Sequence, residues 1–326
     1  MIKILFCGFR HPHVNALYKK VEASSDFCVF DCVEENAEAR EAAKKALGAS
    51  FSQKGYAELL KSDCDAVAIG TAYGERGAAI IEALKAGKHV ISDKPICTSL
   101  EELDEIRRLC SEKGLKIACM LDLRYLPQAL KAKELLDSGR LGEIRNLSFG
   151  GQHCLDRAHR PSWYFEEGMH GGTINDIAIH GIDLVRMLTG LEFTQTDAAR
   201  AWNSYASDVK HFRDSATFMA RLENGAGVLA DVSYSAPAMG FLMPTYWEFR
   251  FWCANGLLTF NYAEKAVKVY ENKASAPCTY DCADSDEDYL TEFIRELNGK
   301  SNMTENILAS TKTALLIQGE ADKELL

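Results

Sequence analysis

No apolar run in this 326-residue chain approaches the roughly 20 residues that a membrane helix needs, so a membrane protein is not expected. Basic excess is missing too. The formal net charge is −10, and no arginine-rich patch occurs. An acidic surface repels phosphate backbones and anionic lipid, which argues against nucleic acid or a membrane surface as partner. The opening MIKILFCGF reaches a glycine after only about five strand-like residues, too few for a secretory signal. Paired metal-ligand spacing is also lacking. Eleven cysteines are scattered without one CxxC pair, so no zinc site is expected. Several lie in apolar runs such as ILFC and IACM, where a free thiol packs as a small hydrophobe. Reduced thiols of this kind fit a cytoplasmic protein. Repeats, low-complexity tracts and a long linker are absent as well.

What is present is ordinary globular material, 47% hydrophobic and 26% charged. The length suits two domains. Up to residue 121 strand-like runs alternate with amphipathic stretches. The runs are IKILFCG, FCVFDCV, DAVAIG, HVISD and KIACML. This alternation predicts a doubly wound parallel sheet with right-handed crossovers. Thr98 or Ser99 followed by Glu101 and Glu102 marks a helix start. Past residue 121 the pattern changes. A helix-like PQALKAKELLDSGRLG is followed, from about 195 to 272, by alternating strands with NG turns at 224–225 and 255–256. Helix periodicity returns over 283–300 and 303–323. The expected fold is α/β: a dinucleotide-binding (Rossmann) domain over 1–121, then an α+β domain with an open, mostly antiparallel sheet over 122–326. Phe249, Phe251 and Leu258 alternate along that sheet and are expected to pack in a homo-oligomer, dimer or tetramer.

Two segments of the first domain suit a dinucleotide. The first strand ends at Gly8, and GFRHPHV leads into a helix, although only the first glycine of G-x-G-x-x-G remains. Backbone N–H groups at such a helix start can hold a pyrophosphate. Asp31 follows Gly8 by 23 residues, a spacing that suits bonding to the adenosine ribose and argues for NAD over NADP. SDKP, at the carboxyl end of the strand HVISD, points Lys94 toward a ligand cleft.

The densest chemistry lies in GTINDIAIHGID. Asp176, His180 and Asp183 stand at i, i+4 and i+7 in an apolar segment, a spacing that puts them on one helix face. Buried titratable groups are costly unless paired, so a His held by an Asp one turn away reads either as an acid–base device or as a satisfied buried network. Asp183 reads as a supporting partner or a helix-packing hydrogen-bonder. Arg124, His153, Arg160, Trp163, Tyr164 and His170 cluster near the expected substrate pocket, and HRPSWYF suits stacking on a sugar ring.

Three blocks in order resemble the Gfo/Idh/MocA family of oxidoreductases. They are DAVAIGTAYGERGAAIIEALKAGKHVISDKPICTSLEEL, LRYLPQALKAKELLDSGRLGEIRNL and GGTINDIAIHGIDLVRMLTG. The resemblance implies a catalytic set of Lys94, Asp176 and His180. It implies hydride transfer between NAD(H) and a secondary alcohol or ketone of a sugar-like or cyclitol substrate. Cofactor contacts are expected from Gly8, Phe9, Arg10, His11, Asp31, Thr71, Ala72, Asp93 and Lys94. Substrate contacts are expected from Arg124, His153, Trp163, Tyr164, Asp176 and His180. The chain departs from the family at Asp93, where Glu is usual, at Arg76, where a His often stands, and in the reduced glycine loop. Two rival readings are an NAD-dependent redox-elimination glycosidase and a non-catalytic dinucleotide-binding regulator.

Overall fold

The computed structural model describes residues 1–323. They form two compact units. The first holds 1–120, 161–171 and 289–311; the second holds 121–160, 172–288 and the remainder of the C-terminal segment. The expected linear division therefore misses two excursions of the chain. Segments 161–171 and 289–311 cluster with the first unit.

In the first unit the order is β1 (Ile2–Cys7), α1 (His13–Ala23), β2 (Phe27–Val33), α2 (Ala37–Leu47), α3 (Tyr56–Leu59), β3 (Ala66–Ile69), α4 (Tyr73–Lys85), β4 (His89–Ser92), α5 (Leu100–Lys113) and β5 (Ile117–Cys119). The five strands are all parallel, in the order β2-β1-β3-β4-β5. Their apolar runs fit a sheet covered on both faces: Ile4, Leu5, Phe6 and the whole of β3 are buried. The start of α5 is capped in both directions. Ser99 Oγ accepts from Glu102 N, and Glu102 Oε2 accepts from Thr98 N, each at 3.2 Å.

In the second unit α6 (Pro127–Asp137), β6 (Ile144–Gln152) and α7 (Ile179–Thr189) precede β7 (Phe193–Trp202), β8 (Ser215–Leu222), β9 (Gly227–Ser233), β10 (Glu248–Cys253), β11 (Gly256–Asn261), β12 (Ala266–Glu271) and β13 (Cys278–Asp281). The sheet order is β13-β12-β11-β10-β6-β9-β8-β7. Only β6–β9 is parallel, so the sheet is mostly antiparallel. The two NG dipeptides turn β8 into β9 and β10 into β11.

The parity of this sheet corrects one expectation. Phe249, Phe251 and Leu258 are at most 2% exposed, facing the interior of their own unit. The outward side carries Trp202, Met219, Leu229, Trp252 and Tyr270, each at least 40% exposed. Alternation separates two faces but does not say which one the unit covers.

The chain closes with α8 (Tyr289–Leu297) and α9 (Met303–Ala321). Helix α8 packs at β5, and Thr304 Oγ1 accepts from Ile117 N at 3.0 Å. An edge strand of the parallel sheet thereby gains cover from the end of the chain. Among the described residues no helix is long and apolar enough to cross a membrane.

Candidate active site

The first unit holds a cleft of about 460 Å³ lined by Gly8, Arg10, Glu34, Glu35, Asn36 and Thr71 among others. Gly8 lines it, and Gly70 packs directly behind Gly8. Gly8 has φ +86°, and a Cβ there would fall 2.7 Å from Thr71 N. A Cβ on Gly70 would fall 2.5 Å from Gly8 O. The backbones at the ends of β1 and β3 touch, which only residues without a side chain allow. Gly70 thus supplies a close approach that the reduced loop lacks.

The loop itself differs from expectation. Phe9 N donates to Glu34 Oε2 at 2.5 Å and Arg10 N to Gly70 O at 2.9 Å, so two amides assigned to a pyrophosphate are engaged within the protein. The Phe9 ring is buried against Phe6, Tyr18 and Phe51. Asp31 lies two residues before the end of β2, half-buried, and accepts from Cys32 N. Four carboxylates line the cleft, Glu34, Glu35, Glu75 and Glu82, and of these Glu34 and Glu35 directly follow β2. Glu34 is buried and also accepts from Asn36 N at 2.8 Å, while Glu35 is exposed. The strand simply runs longer than the spacing argument assumed.

Lys94 sits on the turn after β4, 7% exposed, with Nζ 5.6 Å from the centre of the Tyr73 ring. Arg76, fully buried, holds this turn. Its guanidinium donates to the carbonyls of Lys94 (2.7 Å), Pro95 (3.0 Å) and Thr71 (2.8 Å), and lies 3.4 Å from Asp93 Oδ2. Five donors in a planar fork suit such multiple bonding. Ala72 is buried at the start of α4. Asp93 is also fully buried. Desolvation alone would raise its carboxyl, but His11, His13 and Arg76 hold it well below the usual carboxylate range. Burial lowers His11 to about 4, outweighing the attraction of Asp93. The side chains of His11 and Asp93, expected on the cofactor, are instead turned into this cluster.

Trp163 and Tyr164 also leave their expected role. Both are 1% exposed and belong to the first unit's core. Trp163 Nε1 donates to Arg10 O at 3.1 Å, and Tyr164 Oη lies 2.7 Å from Tyr73 Oη. His170 packs against both tyrosines.

In the second unit the helix carrying Asp176 and His180 is not regular. Residues Ile174–Ala178 form a π-helical turn, and α7 begins only at Ile179. A wider turn changes the azimuth of Asp176, so spacing four no longer means one α-helical stripe. Asp176 is 2% exposed, and the Tyr234 hydroxyl donates to its Oδ2. The Arg160 guanidinium lies 5.6 Å from the Tyr234 ring centre. At Gly181 a Cβ would meet the Phe149 ring at 2.2 Å, so glycine lets α7 seat on β6 directly beside His180. The His180 ring stands 5.8 Å from Trp247, which in turn meets His153 at 5.5 Å. Tyr246 lies 4.5 Å from His153.

Asp183 and Arg124 pair with each other. Nε–Oδ2 is 2.5 Å and Nη2–Oδ1 is 3.0 Å, with both groups buried. Arg124, expected on substrate, is therefore a bidentate partner for a helix carboxylate. Sequence reasoning missed Tyr234, Trp247, Arg76 as a turn clamp, and the Glu34–Glu35 pair. Only the last left a signal, two acids just past the second strand.

Two family models match the chain. The oxidoreductase family, NAD-binding Rossmann fold, matches residues 2–120. The Gfo/Idh/MocA C-terminal domain matches residues 129–259. The scyllo-inositol 2-dehydrogenase (NAD(+)) of Bacillus subtilis is 26% identical over 226 residues, 69% of this chain and 64% of that protein. The levoglucosan dehydrogenase of Pseudarthrobacter phenanthrenivorans is 34% identical over 123 residues, 36% of this chain and 31% of that protein. The chain matches less than two thirds of the length of either relative. A solved structure from Erwinia carotovora atroseptica aligns over 100% of both chains with a TM-score of 0.88 at 21% identity, a likeness of fold alone. With one family's two domains matched in order on a parallel dinucleotide sheet and a mostly antiparallel partner sheet, the chain belongs to the Gfo/Idh/MocA oxidoreductases.

Proposed function

We propose that this protein is an NAD-dependent dehydrogenase or reductase acting on a secondary alcohol or ketone of a sugar-like or cyclitol substrate, with Lys94, Asp176 and His180 as its catalytic residues. The observation that carries the reading is Asp176: a buried carboxylate four residues before His180, in the π-helical turn that leads into α7, fixed by Tyr234. A chain that only bound dinucleotide would have no use for this acid–base pair.

In the oxidative direction His180 removes the hydroxyl proton. The Lys94 ammonium donates to the same oxygen and stabilises the negative charge that develops there. Asp176 orients the substrate or the imidazole. NAD, held at the cleft of Gly8, Glu34 and Glu35, would supply the hydride acceptor, so that loss of the hydroxyl proton and of the carbinol hydride would leave a ketone. Tyr246, half-buried and backed by the buried Trp247, offers an apolar face for a ring carbon skeleton, while His153 offers a polar edge. Sugar-derived and cyclitol substrates in the names of the relatives support this class.

The cleft fits NAD on its own chemistry. Gly8 leaves room for a close backbone approach, and Glu35 stands exposed at the cleft, where its carboxylate would accept hydrogen bonds from ribose hydroxyls. A 2′-phosphate would meet two carboxylates, so NAD is preferred over NADP. Glu34 and Glu35 take over the role first given to Asp31. We also propose that the chain forms a homo-oligomer through the outward face of its eight-stranded sheet, which bears Trp252, Leu229 and Met219.

The test is a screen of sugars, cyclitols, sugar acids and their keto forms that follows NADH absorbance, run with both NAD and NADP. Turnover of a ring polyol with NAD is the expected result. Dinucleotide binding without turnover of any member would refute the enzyme reading.

A further inference from the structure

We propose that His11, His13 and Asp93 form a binding site for one divalent transition-metal ion of the zinc type. The two imidazoles flank Pro12 in the loop after β1, and the carboxylate comes from the turn after β4. One donor atom from each of the three lies within 4.8 Å of the others. His11 Nδ1 is 2.7 Å from Asp93 Oδ2, and His13 Nδ1 is 3.0 Å from Asp93 Oδ1. The two rings are 4.3 Å apart and nearly perpendicular, so their nitrogens converge from different directions. Two nitrogens and one oxygen are a donor set that zinc accepts, with a fourth position left for water.

A hydrogen-bonded cluster is the rival explanation, and His11 does not fit it. The ring is 3% exposed, and although Asp93 Oδ2 lies 2.7 Å away, Nδ1 makes no well-formed hydrogen bond. A buried ring nitrogen beside a carboxylate but without a well-formed bond to it is what a site prepared for a shared ion presents. The far side of the ring is set up in the same sense. His11 Nε2 is 3.2 Å from Tyr164 Oη, which passes on to Tyr73 Oη. An Nε2–H donated to Tyr164 leaves Nδ1 as a lone pair, the tautomer a metal requires. Arg76 sits 3.4 Å from Asp93 Oδ2, but its three carbonyl partners hold it without that contact. Asp93 Oδ1 accepts from Lys94 N at 2.8 Å, which leaves Oδ2, beside His11 Nδ1, as the oxygen turned to an ion. His13, with its side chain 44% exposed, gives the ion a route in from solvent. The bound ion would fasten the loop after β1 to the turn that bears Lys94.

Ligands that lie i, i+2 across a proline, with the third some 80 residues away, leave no paired spacing to read in the sequence. The test of the site needs no turnover. Metal-stripped protein is titrated with Zn²⁺ by calorimetry, and the loaded protein is examined by X-ray absorption at the zinc edge. The proposal expects one ion per chain, ligated by nitrogen and oxygen at roughly 2.0–2.1 Å with no sulfur at about 2.3 Å. His13→Gln and Asp93→Asn each remove that equivalent, while Cys278→Ser, at an exposed thiol, leaves it. Thermal unfolding of every variant shows that it is folded. Sulfur ligation, unchanged stoichiometry in the folded His13→Gln variant, or no binding at micromolar zinc would each overturn the site.

Discussion

Tyr234, just past the end of β9, donates its hydroxyl to the Asp176 carboxylate in the π-helical turn ahead of α7. Both groups are at most 2% exposed, so water cannot replace the bond if it is lost. A hydrogen bond to a charged group is worth about 1.5–3 kcal/mol. Tyr234→Phe is therefore expected to lower kcat/KM by roughly ten-fold or more, through kcat, because a carboxylate that must orient its partner has lost its brace. Steady-state kinetics on the substrate found by screening reads this. An unchanged kcat would mean the bond only packs the core.

Arg124 and Asp183 make a different prediction. Breaking a buried pair by removing one partner costs about 3–5 kcal/mol, because a charge is left without compensation. Arg124→Ala is expected to lower stability by that order in urea unfolding. Arg124→Met combined with Asp183→Leu is expected to restore most of it. A rise in KM with unchanged stability would instead return Arg124 to the substrate role the sequence suggested.

Cofactor choice is expected to rest on Glu35. Like charges brought together cost several kcal/mol, so the native protein should favour NAD over NADP by on the order of 100-fold in kcat/KM. Glu35→Arg replaces repulsion with attraction at an exposed position and should shrink or invert that ratio. Parallel titrations with the two cofactors measure it. If the ratio stays put, the ribose lies elsewhere.

His89 gives a pH dependence away from the proposed chemistry. Burial lowers its pKa below 6.5, and its Nδ1 accepts from Lys116 N at 3.0 Å, which only the unprotonated nitrogen can do. Between 6.5 and the lowered native value the unfolded chain binds the proton more readily. Stability is then fully present above pH 6.5 and falls as the pH drops below it. The urea midpoint should decline between pH 7.5 and 5.5, and His89→Gln should flatten that decline. Equal slopes in both proteins would remove His89 from the account.

Much of this architecture was legible because it follows from local periodicity. Continuous apolar runs such as AVAI, set between turn signals, suit strands covered on both faces, and the two NG dipeptides sit at hairpins. Asp176 and His180 stood out as candidates because three titratable groups in an apolar segment demand a reason, and the fold does bury Asp176. What stayed hidden was decided by tertiary contact. Nothing near Tyr234 in the sequence points to Asp176, 58 residues earlier. Trp163 and Tyr164 looked like a ligand-stacking loop because aromatic and basic residues serve packing and binding alike; here they fill the first unit's core. Phe249 and Phe251 showed their alternation but not which side their own unit covers. Asp31 had the right spacing, and the strand then ran on two more residues to Val33.

The most direct test is turnover by His180→Ala set beside its affinity for NAD. General acid–base help is typically worth about 10²–10⁴-fold, so kcat should fall by that factor while the dissociation constant for NAD stays where it was. A His180→Ala protein that binds NAD normally and turns over a true substrate at near-native rate would contradict the assignment of His180 as the catalytic base.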